Sequence, residues 1–138
     1  MWRALYTIAL YLALPLVLLK LWWRGRREPV YRSRIDERFG AYEESPQRPV
    51  LWVHAVSVGE ARASAPLVRA LLAKYPECEV LVTCMTAAGR AALKQVYGES
   101  VRIAWLPYDY PGSVRRFLEH FWPRLGVLME TEIWPNLL

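Results

Sequence analysis

Residues 50–84, VLWVHAVSVGEARASAPLVRALLAKYPECEVLVTC, decide the fold. Both ends of this stretch, Val50–Ala55 and Glu79–Cys84, are short runs that are nearly all apolar, the pattern of strands covered on both faces. Between them Ala61–Lys74 sets Ala65, Val68, Leu71 and Leu72 along one side of a helix. A strand, a helix and a second strand joined by a few residues make a βαβ unit, and such units build a parallel sheet.

The same alternation continues downstream. Strand-type runs recur at Arg102–Leu106 and Leu125–Met129. Helical spacing covers Ala87–Tyr97, with Ala88, Ala91, Ala92 and Val96 expected on one face, and Ser113–Trp122. Thr86 is placed to cap the second helix, and Gly98 lies where that helix would end. Pro111 suits the opening of the third, where no backbone donor is needed, and Pro123 helps to stop it. The expected fold is an α/β domain with a Rossmann-like parallel sheet.

Ligands of such sheets sit outside the carboxyl ends of the strands. The segments expected there are His54–Glu60, Thr83–Thr86, Pro107–Asp109 and Glu130–Asn136. In the first, HAVSVGE, Gly59 permits a sharp turn and a close ligand approach, and Glu60 falls in the first turn of the next helix. The helix dipole favours a carboxylate there by about 0.3–1 kcal/mol and keeps it ionised, ready to take a proton from a hydroxyl. An acidic residue decorating a helix start fits the same spacing. His54 closes an apolar strand, where a satisfied histidine is commoner than a base. Ser57 has no histidine at useful spacing, which argues against a serine nucleophile. In METEIWPN, Glu130 and Glu132 read by themselves as solvated loop charges. The sequence contains neither GxGxxG nor a P-loop, so dinucleotide and nucleoside triphosphate binding are not indicated.

The amino terminus differs in composition. ALYTIALYLALPLVLL, residues 4–19, carries no charge, and Lys20, Leu21, Trp22 and Trp23 precede the basic cluster Arg24, Arg26 and Arg27. Ala4–Trp23 is about twenty residues, roughly 30 Å of helix and the thickness of a bilayer core. Sixteen uninterrupted residues also suit a helix entering a single leaflet. The positive charge follows the apolar run and no small-x-small site appears, so a retained anchor is expected over a cleaved signal. Pro15 should kink it. The flanking arginines favour the cytoplasmic side for the remainder.

Residues 1–48 hold nine Lys/Arg against five Asp/Glu, whereas residues 49–138 hold nine against eight. The basicity is thus membrane-proximal, which points to anionic headgroups and away from nucleic acid. The expected division is an anchor helix over residues 1–23, a basic connector over 24–49 with one short helix at Arg32–Phe39, and the α/β domain over 50–138. Cys78 and Cys84 have no metal-ligand spacing and read as reduced, non-catalytic thiols.

WVHAVSVGE (52–60), PLVRAL (66–71), LPYD (106–109) and METEIWPNLL (129–138), in this order, resemble the 3-deoxy-D-manno-octulosonic acid (Kdo) transferases of Gram-negative bacteria. The start, YTIALYLALPLVLLKLWWRGR followed by YRSRIDERFGAY, resembles that family's membrane-anchored beginning. The resemblance implies a two-domain GT-B glycosyltransferase of lipopolysaccharide assembly. It would move Kdo from CMP-Kdo to a lipid A precursor at the cytoplasmic face of the inner membrane, with no metal or other cofactor. It also implies that Glu60 is the general base, that Glu130 stabilises the transition state, and that Ser57 and Gly59 lie against the acceptor. Family members continue well beyond the position of Leu138 into a CMP-binding domain, so this stretch alone is expected to transfer no sugar. The competing expectation is a non-catalytic, membrane-tethered module that binds lipid A precursor or a partner.

Overall fold

The computed structural model describes residues 1–129 and 134–138. A long helix α1 (Trp2–Arg27) leads into two 3-10 turns, Pro29–Arg32 and Ile35–Phe39. The chain then runs β1 (Val50–His54), α2 (Val58–Ala63), α3 (Ala65–Lys74), β2 (Glu79–Cys84), α4 (Ala87–Tyr97), β3 (Arg102–Trp105), α5 (Pro111–Phe121) and β4 (Leu125–Leu128). The four strands form one parallel sheet in the order β3-β2-β1-β4. The expected α/β class and parallel sheet are present, preceded by one helix long and apolar enough to cross a membrane.

Both faces of the sheet are covered, which is why its central strands tolerate apolar residues at every position. Leu51, Val53, Val80 and Val82 pack beneath α2, α3 and α4, with Val68, Leu93 and Tyr97 opposite. On the other face Val50, Trp52, Leu81 and Ala104 meet Phe117 and Phe121 of α5. Fully burying an aliphatic side chain of this size contributes about 1.5–3 kcal/mol.

Three local expectations are corrected. The helix foreseen over Ala61–Lys74 starts earlier, at Val58, and is two helices broken at Ser64. Pro66 has no N–H to donate to Arg62, so the ladder is interrupted and α3 starts afresh. The Ser64 hydroxyl occupies the break, donating to the Ala61 carbonyl at 2.8 Å and lying 2.7 Å from the Tyr97 hydroxyl. In α4 the buried face is Gly89, Arg90, Ala92, Leu93 and Tyr97, while Ala88 and Ala91 face solvent. Small alanines satisfy either side of a helix, so only the large Leu93 and Tyr97 mark the core direction. The helix expected at Arg32–Phe39 is interrupted by Arg34, whose φ of 49° is left-handed.

The segment between α1 and β1 packs closely on the domain. The open edge of β3 is closed by it: the Trp105 N–H donates to Glu37 Oε2 at 2.9 Å, and Tyr42 donates to the Trp105 carbonyl at 2.9 Å. Supplying side-chain partners to an edge strand prevents it from pairing with another chain. Arg38, only 2% exposed, lies with its guanidinium 4.1 Å from the Trp105 ring centroid. Burial pulls its pKa below the ordinary arginine value.

Candidate functional site

All four strands end at one rim, because all are parallel. The loops there are Ala55–Ser57, Met85–Thr86 and Leu106–Tyr110, and the chain leaving β4 begins at Met129. Two of these loops are tied together by Thr86. Its hydroxyl donates to the Val56 carbonyl at 3.1 Å and accepts the Gly89 N–H at 3.0 Å. A Cβ on Gly89 would lie 2.6 Å from the Val56 carbonyl oxygen, so only glycine lets α4 approach the β1 loop this closely.

Glu60 stands in the first turn of α2, as expected, and its surroundings are specific. The Val56 N–H donates to Oε2 at 2.7 Å and the Ser57 hydroxyl donates to Oε1 at 3.1 Å. In return Ser57 Oγ, at the N-cap, accepts the Glu60 N–H at 3.3 Å. This is close to a capping box, and the S-x-x-E spacing that signals one stands openly in SVGE. A carboxylate offers about four lone-pair positions, so two donors leave room for an incoming hydroxyl proton. The side chain is half-buried at the rim and reachable from solvent.

Gly59 does not owe its place to a turn: it is helical, and a Cβ there would meet only Ser57 Oγ at 3.9 Å. Space beside it is open. Ser57 serves Glu60 and has no histidine partner among the described residues. Glu130 and Glu132 lie outside the described residues. Just beyond them, the Asn136 N–H donates to Asp109 Oδ2 at 3.0 Å and its side-chain amide to the Asp109 carbonyl at 2.6 Å. Asp109 of LPYD therefore holds Asn136 of the WPN stretch at the rim.

His54 is fully buried and joined to a short relay. The Trp52 indole N–H donates to Thr83 Oγ1 at 2.8 Å, and the same oxygen lies 2.8 Å from His54 Nδ1. The other ring nitrogen, Nε2, has no partner among the described residues. Burial lowers the His54 pKa to about 4 and so keeps the imidazole neutral at pH 7, opposed by a hydrogen bond to the Thr83 backbone and by the Glu60 charge. An interior histidine was the sequence expectation, but Thr83 and Trp52 as its partners were not foreseen. They sit on adjacent strands, and only register pairs His54 with Thr83.

Both cysteines are free and buried, and burial raises the Cys84 thiol to about 11, which keeps it protonated and unreactive. Among the described residues no three His, Cys, Asp or Glu side chains gather as a metal site would require.

Parallel α/β sheets take ligands outside the carboxyl ends of their strands, the rim where the polar motifs of this chain collect. Residues 33–138 match the family model for 3-deoxy-D-manno-octulosonic-acid transferase. The chain is 45% identical to the 3-deoxy-D-manno-octulosonic acid transferase of Bordetella pertussis and 40% identical to that of Haemophilus influenzae, with all of the chain aligned in both. A probable mitochondrial counterpart in Arabidopsis thaliana is 35% identical over 97% of the chain. The chain belongs to the Kdo transferase family. It spans about a third of the length of these relatives, 34%, 33% and 30% respectively.

Proposed function

We propose that residues 50–138 belong to the acceptor-side domain of a GT-B glycosyltransferase that moves Kdo from CMP-Kdo to a lipid A precursor, and make up only part of that domain. The observation that carries this reading is Glu60, an accessible carboxylate fixed by two donors at the ligand rim of a family member. The acceptor hydroxyl gives its proton to Glu60 while its oxygen bonds to the anomeric carbon of Kdo. The bond from that carbon to the phosphate oxygen breaks, and CMP leaves from the opposite face. No metal or other cofactor enters these steps. Ser57 orients the base, and the open space beside Gly59 admits the acceptor. Glu130 is assigned to transition-state stabilisation by resemblance to the family. Residues 1–23 anchor the protein and 24–49 join anchor to domain, with catalysis on the cytoplasmic side of the bacterial inner membrane.

The test is Glu60→Gln in the enzyme that carries this chain, assayed with CMP-Kdo and lipid A precursor. Removal of a general base predicts a loss of about 10²–10⁴-fold in transfer. Transfer within a few-fold of the parent would remove Glu60 from the mechanism. One observation favours a second reading, a tethered binding module without catalysis: both Glu60 oxygens already serve the helix cap. On that reading there is no transfer to lose, and Glu60→Gln lowers only the stability of the α2 start.

A further inference from the structure

Helix α1 has two apolar stripes with different partners. Thr7, Leu10, Leu14 and Val17 are half-buried and Leu21 and Gly25 fully buried, a row spaced three or four residues apart. This row faces the protein. Near its start Thr7 Oγ1 is 3.3 Å from Asn136 Oδ1, the Tyr110 hydroxyl donates to the Leu10 carbonyl at 3.0 Å, and the rings of Tyr11 and Tyr110 lie 5.0 Å apart. Near its end Leu21 packs with Tyr31 and Ala87, and Arg32 donates to the Trp22 carbonyl at 3.0 Å. Ala87, Tyr110 and Asn136 all belong to the carboxyl rim of the sheet, so the helix lies along that rim. From Thr7 to Gly25 this is about 27 Å of contact at the α-helical rise.

The opposite row is Leu5, Ile8, Leu12, Leu16, Leu19 and Trp23, each at least half exposed and again three or four residues apart. Cations stand at both ends of the helix, Arg3 at the start and Lys20, Arg24, Arg26 and Arg27 at the finish. Arg26 and Arg27 stack over Trp22 and Trp23 at 4.5 and 4.6 Å, an arrangement suited to the headgroup layer.

A helix crossing the bilayer could not keep these contacts. Its Thr7 end would lie at hydrocarbon depth and draw with it Tyr110, Asn136 and the Asp109 carboxylate. Backbone and charge of that kind are not tolerated against lipid. We propose that α1 lies in the plane of the membrane surface, between the rim of the sheet and an anionic bilayer, and does not cross it. The domain covers the inner stripe, where a free amphipathic helix would carry a polar face, and lipid covers the outer one. Glu60 is then held at headgroup height, where the sugar of a lipid-linked acceptor resides. This rests on the membrane association proposed above.

Sidedness tests it. Single cysteines are introduced at Arg3→Cys and, as a domain marker, Glu99→Cys, in the full enzyme; the native Cys78 and Cys84 are buried and silent. A membrane-impermeant maleimide is applied to spheroplasts and to inverted inner-membrane vesicles. The proposal expects both positions to be labelled in inverted vesicles and neither in spheroplasts. Labelling of position 3 from the periplasmic side alone overturns the in-plane helix and leaves membrane association standing. Failure of the protein to sediment with membranes overturns both. As a second measurement, Thr7→Cys with Asn136→Cys should be joined by a short bismaleimide in native membranes, and absence of the cross-link counts against the proposal.

Discussion

Acid should destabilise this domain through His54 in a measurable amount. The unfolded chain protonates this histidine near its ordinary 6.5, whereas in the folded domain burial holds its pKa at about 4. Between those values the unfolded state binds more protons, so stability is full at neutral pH and falls as the pH drops. At 1.36 kcal/mol for each unit of pH difference, the loss is about 2 kcal/mol at pH 5 and about 3 kcal/mol at pH 4. Other carboxylates titrate in this range, so the measurement is a difference. His54→Asn keeps a hydrogen-bonding side chain beside Thr83 but cannot titrate; its lost volume costs stability equally at every pH. Urea unfolding in mild detergent, followed by far-UV circular dichroism at pH 7, 6, 5 and 4.5, gives both curves. Their separation should shrink by about 2 kcal/mol between pH 7 and 5. A separation that stays constant, or widens in acid, would refute the buried neutral imidazole and the relay behind it.

Three further outcomes follow from packing at the edges of the sheet and at the rim. Glu37→Ala should destabilise by about 3–5 kcal/mol, because it strands the buried Arg90 and removes the Trp105 N–H partner; the exposed Glu43→Ala should change little, both read by chemical denaturation. Gly126→Ala drives a methyl to within 2.8 Å of the Trp52 ring and should cost about 1–3 kcal/mol, with a displaced Trp52 indole resonance in NMR. Ser57→Ala removes the cap of α2 and should cost about 0.5–2 kcal/mol. If Ser57 also orients the base, that variant loses transfer without a matching rise in KM.

The motifs that mark the family converge on one feature. HAVSVGE, LPYD and the WPN stretch are separate in the chain, yet all three lie at the carboxyl rim, where Asp109 and Asn136 are in direct contact. The Thr86 bridge ties the β2 loop to the first of them. Parallel strands make this convergence unavoidable, since every strand delivers its following loop to the same side.

Sequence alone determined the class of fold, because apolar runs of strand length alternating with helical spacing admit only a parallel α/β arrangement here. It also marked Glu60, whose position three residues after Ser57 and just past an apolar strand is a local property. Local spacing could not orient α4, whose alanines read alike on both faces, nor foresee the break at Ser64 before Pro66. Partners across strands were equally out of reach. The Trp52–Thr83–His54 relay depends on register, and Glu37 reaches Trp105 across 68 residues of chain. Helix α1 shows the division most clearly. Hydropathy establishes that α1 is long and apolar enough to enter a membrane, and is silent on direction. Direction belongs to tertiary structure, because only contacts at Thr7, Leu10 and Leu21 with the rim decide which stripe of the helix's apolar stretch faces protein.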